Sequence, residues 1–145
     1  MKITIWMRVA AVLQALYAVG HTVGGTPRLA KRGPQEAALF DALQNFRFDV
    51  MGTNRSHWAF YQGFSLTIGL YLIIAAVLFW QLGDLGRREP ASARPLITTL
   101  AMSEIGLAIL SFQFFFLAPL MFSIVISFCL VTALFRSYRR DQPIG

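Results

Sequence analysis

Residues 95–117, PLITTLAMSEIGLAILSFQFFFL, decide how this chain is read. The stretch is long and apolar enough to cross a membrane, yet Glu104 sits near its middle, and no formally charged residue follows from Ile105 to Phe135. A carboxylate half way along such a span costs roughly 2.5–3.5 kcal/mol on insertion scales. It is therefore expected to face the interior of a helix bundle, and the remaining spans must supply its partner.

Composition supports that setting. Of the 145 residues 56% are hydrophobic, and the mean hydropathy is +0.56, far too apolar for a soluble domain of this size. The expected fold is all-α, one integral membrane four-helix up-down bundle. The net charge of +6 does not indicate nucleic acid, because Lys and Arg fall at the ends of apolar runs rather than in one patch; that distribution is a topology signal. Cys129 is the sole cysteine, which rules out an intrachain disulfide or a two-thiol redox centre and makes it a packing residue.

Four spans are predicted at about 3–25, 57–82, 95–117 and 119–136, with a short extramembrane amphipathic helix at about 34–51 between the first two. The first run has the basic start of a signal peptide, but Arg8 interrupts its core and the apolar residues continue well beyond, so it reads as a membrane helix. Glycine and proline at Gly24-Gly25-Thr26-Pro27 end it. Pro34 suits a first helical turn, and Leu39, Leu43, Phe46 and Val50 recur at helical spacing, which makes 34–51 a lid or a surface helix. Met51-Gly52-Thr53-Asn54-Arg55-Ser56 reads as a turn, with Ser56 as N-cap of the second span. A polar loop follows from Gly83. Between Pro95 and Arg136 a single helix would be about 60 Å long, twice a bilayer core, so the chain must fold back, and Leu117-Ala118-Pro119 is the expected corner.

With four spans both termini share a side. That side carries Lys2, Arg87, Arg88, Arg94, Arg136, Arg139 and Arg140, with Arg8 near the boundary, against Arg28, Lys31, Arg32, Arg47 and Arg55 on the other. The excess places the termini in the cytoplasm of an inner-membrane protein.

Bundled membrane helices meet along small or hydrogen-bonding residues, because lipid already satisfies the large apolar ones. Such stripes are Ala10, Gln14, Tyr17, His21 and Gly24 in the first span, Trp58, Gln62, Ser65, Gly69 and Ala76 in the second, and Ala101, Glu104, Ala108 and Ser111 in the third. The fourth offers only Ser123 and Ser127 and is read as packing. Counting at ~1.5 Å per residue sets Glu104 level with Gln14, which can donate to the carboxylate, and with Gly69, which leaves room beside it. Arg8 lies six residues before Gln14, about 120° off that face, and is expected to snorkel to headgroups. Glu104 then lacks a full counter-charge, and desolvation penalises its ionised form.

His21 and His57, the two histidines of the chain, fall at one membrane level. This permits metal or haem ligation between helices, but no motif fixes a third ligand, so no cofactor is assigned. The preferred reading has His21, His57, Tyr61 and Gln62 forming a polar mouth beneath the lid. No nucleophile elbow, phosphate loop or paired-cysteine metal motif is present, and the reading leans away from an enzyme.

At His21-Thr22-Val23-Gly24-Gly25, at Met51-Gly52-Thr53-Asn54-Arg55-Ser56 running into Trp58, at Phe60-Tyr61-Gln62-Gly63-Phe64-Ser65-Leu66 and at Phe116-Leu117-Ala118-Pro119, the chain resembles a family of uncharacterised small bacterial four-span integral membrane proteins. The resemblance implies the topology and a bacterial inner-membrane home, and carries over no catalytic residue. The expected function is to bind a hydrophobic or amphipathic small molecule, lipid or quinone-like, among membrane lipids. Glu104 and Gln14 would form the polar floor, with Tyr17, His21, His57, Tyr61 and Gln62 as walls and mouth. Two alternatives stay open: a homodimeric proton-coupled small transporter using Glu104, and an accessory subunit of a membrane complex.

Overall fold

The computed structural model describes residues 3–24 and 33–139. Its elements in chain order are α1 (Ile3–Gly24), α2 (Pro34–Asn45), β1 (Arg47–Val50), β2 (Thr53–Ser56), α3 (His57–Arg88), α4 (Pro90–Phe114) and α5 (Leu117–Arg139). Four of these helices, α1, α3, α4 and α5, are long and apolar enough to cross a membrane, which suits a multi-pass membrane protein. The chain divides into two compact units, Met1–Tyr17 with Leu72–Gly145, and Ala18–Tyr71.

In the first unit all four long helices contribute to one core. Met7 and Ala10 of α1, Phe79 and Leu82 of α3, Ile97 and Ala101 of α4, and Ile126 and Leu130 of α5 are buried together. Successive helices run antiparallel. A Cβ on Gly86, near the end of α3, would stand 2.8 Å from Ile3 Cδ1 at the start of α1 and 3.7 Å from Ala93 Cβ at the start of α4. Arg94 of α4 reaches Ser137 near the end of α5, with Nε donating to its hydroxyl at 3.2 Å and Nη2 to its carbonyl at 2.7 Å. One end of the bundle thus holds the start of α1, the end of α3, the start of α4 and the end of α5, the expected up-down order.

The outside of these helices is the apolar side. Val12 and Leu16 of α1, Ile73 and Val77 of α3, Ile105 and Ile109 of α4, and Val125 and Phe128 of α5 are exposed, while Gln14, Glu104, Ser111, Ser123 and Ser127 are buried. Water would favour the reverse; hydrocarbon satisfies the large side chains outside and leaves polar and small ones to hold the helices together.

Several predicted boundaries move. The polar loop expected from Gly83 is absent: α3 continues to Arg88, and Glu89 alone separates it from α4, whose Pro90 occupies the first helical turn where a missing N–H costs nothing. The corner between α4 and α5 lies at Phe115-Phe116, and Pro119 falls in the first turn of α5 for the same reason. Arg8 does not snorkel. Its Nη2 donates to both carboxylate oxygens of Asp84 at 2.9 Å, and its guanidinium lies 3.5 Å from the centroid of the Trp80 ring. The longer α3 puts Asp84 on a helix face within reach of α1.

In the second unit the expected helix over 34–51 ends at Asn45, and a two-stranded antiparallel hairpin follows, pairing Arg47 with Ser56, Phe48 with Arg55, Asp49 with Asn54 and Val50 with Thr53. Met51 and Gly52 form its two-residue turn with φ of 50° and 80°, both in the left-handed region required by the turn that best matches strand twist. Asn54 ties the strands, accepting from Arg47 Nε and donating to Asp49 Oδ1. Ser56 caps α3 as expected, its hydroxyl accepting from the Ala59 amide at 3.2 Å. The hairpin strands bring Phe46 and Phe48 onto His57, with ring centroids 5.7 and 4.6 Å away.

Candidate functional site: a buried polar centre

Of the predicted site residues, Gln14, Tyr17 and Glu104 lie in the first unit and come together there. Gln14 is fully buried and Glu104 is 3% exposed. Their positions follow from the packing of small neighbours: Ala10 and Ala11 on α1 and Ala101 on α4 are all buried, and such side chains let the helix backbones approach closely. The Gln14 side chain faces the Glu104 carboxyl. The Tyr17 hydroxyl is set beside the hydroxyls of Ser111 and Ser123, close enough to Glu104 to feel its charge. Its ring stacks on Phe122 of α5 at 5.3 Å with 8° between the planes.

This centre is short of hydrogen bonds. The Gln14 carboxamide meets the Glu104 carboxyl and the Ser123 hydroxyl meets Tyr17, while Glu104 Oε2 has no partner among the described residues; Ser127, one turn further along α5, is buried with its hydroxyl unpartnered. An unmet buried polar group costs about 1–3 kcal/mol.

Ser123 and Ser127 are expected from the sequence to serve packing alone. They lie on the buried stripe of α5 with Ile126 and Leu130, and Ser123 also meets the Tyr17 hydroxyl. Their spacing of four in an otherwise apolar helix was the available signal. Gly69 also plays a different part. The space a Cβ would take there is filled by Thr22 Oγ1, 2.9 Å from the Cβ position, so the glycine makes room for Thr22 and not for a carboxylate.

His21, His57, Tyr61 and Gln62 belong to the second unit. His21 Nε2 lies 3.0 Å from the Ser65 carbonyl oxygen, which can only accept, so that nitrogen carries the proton. His57 is flanked by the Phe46 and Phe48 rings. Tyr61 stacks on Trp58 at 5.4 Å, and Gln62 is exposed. Among the described residues no three His, Cys, Asp or Glu side chains gather as a metal site.

Comparison with protein-family models, with curated proteins and with solved structures finds no match to this chain.

Proposed function

We propose that this is a small integral membrane protein that binds a hydrophobic or amphipathic small molecule, lipid or quinone-like, with its polar end at Gln14 and Glu104. The observation that carries this reading is a fully buried carboxamide, Gln14, facing the Glu104 carboxyl, which is 3% exposed and keeps one oxygen without a partner among the described residues. A headgroup would meet these atoms, while its apolar remainder would find the same surroundings as a lipid tail. Groups of this kind within membrane spans are rare and mark functional positions by default.

The proposed setting is a bacterial inner membrane with both termini cytoplasmic. Arg87, Arg88, Arg136 and Arg139 at the end where α1 begins and α5 finishes support that orientation, and the resemblance to small bacterial four-span proteins supports the membrane.

Native mass spectrometry of protein released from detergent micelles tests the reading. One small amphiphile per chain is expected on the wild type and should be lost from Gln14→Leu. A bare wild type, or identical adducts on both proteins, would remove it.

A further inference from the structure

The first unit carries its positive charge at one end. Gly86 meets Ala93 there, joining the end of α3 to the start of α4, and Arg94 beside them bonds Ser137 near the end of α5. Arg87, Arg88, Arg136 and Arg139 each lie within two residues of Gly86 or Ser137, and all four are exposed. Carboxylates at this end are few among the described residues. Asp84 is taken by Arg8, which leaves Glu89, whose side chain accepts from the Ser92 hydroxyl at 3.2 Å. Arg88, Arg136 and Arg139 make no hydrogen bond, ion pair or ring contact among the described residues.

Two observations place these guanidinium groups among lipid phosphates. Trp80 and Tyr138 are 50% and 54% exposed, and each lies under an arginine, Arg8 or Arg94; tryptophan and tyrosine at the end of a span mark the headgroup level. Length agrees. From Arg94 to Phe115 the chain rises through 21 residues, about 31 Å of helix and the thickness of a hydrocarbon core. The α4–α5 corner is uncharged and exposes Phe114, Phe115 and Phe116. With that corner at one boundary of the hydrocarbon, the arginines fall at the other.

A guanidinium pairs with phosphate through two parallel N–H bonds. Zwitterionic headgroups bring an ammonium of their own to an end that already has an excess of positive charge, whereas anionic ones bring only the opposite sign.

We propose that this end of the bundle binds the headgroups of anionic phospholipids, with Arg88, Arg136 and Arg139 on the phosphates. The proposal is independent of the Gln14–Glu104 centre and requires only that the four long helices lie in a bilayer. It goes beyond orientation, because charges that act only during insertion give the folded protein no lipid preference.

The test follows thermal unfolding of the full chain in a neutral maltoside detergent at constant ionic strength. Dioctanoyl phosphatidylglycerol, dioctanoyl phosphatidylcholine and inorganic phosphate are titrated separately; the two lipids share their tails and differ in the headgroup. Phosphatidylglycerol is expected to raise the midpoint saturably at concentrations about tenfold or more below those of phosphatidylcholine, and added salt should shrink that preference. Arg88→Gln combined with Arg136→Gln and Arg139→Gln should abolish it. Each single variant should weaken it about two- to fivefold, which decides the matter should the triple variant fail to insert. Equal responses to the two lipids, a preference that survives these substitutions, or a response to inorganic phosphate matching that to phosphatidylglycerol would overturn the proposal.

Discussion

Arg8 of α1 and Asp84 of α3 join two helices across 76 residues of sequence, one guanidinium nitrogen standing 2.9 Å from both carboxylate oxygens. Trp80, one turn before Asp84, lies under the same guanidinium. The Asp84 side chain is 45% exposed, so solvent screens the ion pair to about 0.2–1 kcal/mol. The stack on Trp80 adds about 0.5–1 kcal/mol. Arg8→Leu, which loses both, is expected to lower the unfolding midpoint more than Asp84→Asn, which loses one. Equal losses would show that the ring contributes nothing.

Gly83 sets how closely α1 and α3 approach. A Cβ placed there would lie 3.2 Å from Met7 Cβ and 3.7 Å from the Thr4 carbonyl oxygen, so the neighbours are a short side-chain stem and backbone that cannot swing away. Thr4 also donates to the Gly83 carbonyl at 3.2 Å. Gly83→Ala should be mild. Gly83→Leu should overpack the contact and destabilise by about 1–3 kcal/mol, read as a lower midpoint in detergent.

The Met51-Gly52 turn places a non-glycine residue in the left-handed region, and Met51 is fully exposed, so nothing offsets the strain. Met51→Asn should slow hydrogen exchange of the Arg47–Ser56 amides by stabilising the turn about 1 kcal/mol. Gly52→Val should speed it. The reverse order would show that the turn does not govern the hairpin.

On the proposed reading, Gln14 and Glu104 give up stability for binding. Replacing one leaves the other exposed to its unmet need, but Gln14→Met with Glu104→Met removes both and fills similar volume. The double variant is expected to unfold at a higher midpoint than wild type, by about 1–3 kcal/mol for each unmet group removed, and to retain no amphiphile in native mass spectrometry. A lower midpoint would mean that the two side chains satisfy each other in the membrane.

Much of the fold was legible because length and apolar content are local properties. Runs such as Leu117–Phe135 can satisfy their backbone in hydrocarbon only as helices, so the number of spans follows from the residues alone. Ser56 was legible as a cap for the same reason: its partner, the Ala59 amide, is three residues away. The hairpin was hidden by an accidental match, since Leu39, Leu43, Phe46 and Val50 fit a helical period, while Phe46, Phe48 and Val50 also alternate as a strand. The adjacent Met51-Gly52 turn decided between them.

The polar centre divides along the same line. That Glu104 must turn inward toward a small or polar face was determined by the sequence, because the cost of a charge in hydrocarbon depends on depth along one helix. Which residues it meets was decided only by tertiary structure, because a stripe of small residues marks a face of a helix and not the neighbour that will pack there. The rotation of α5 brings Ser123 and Ser127 inward, the length of α3 carries Asp84 to Arg8, and Thr22 takes the space at Gly69. Each of these depends on contacts between residues far apart in the chain, which no local period records.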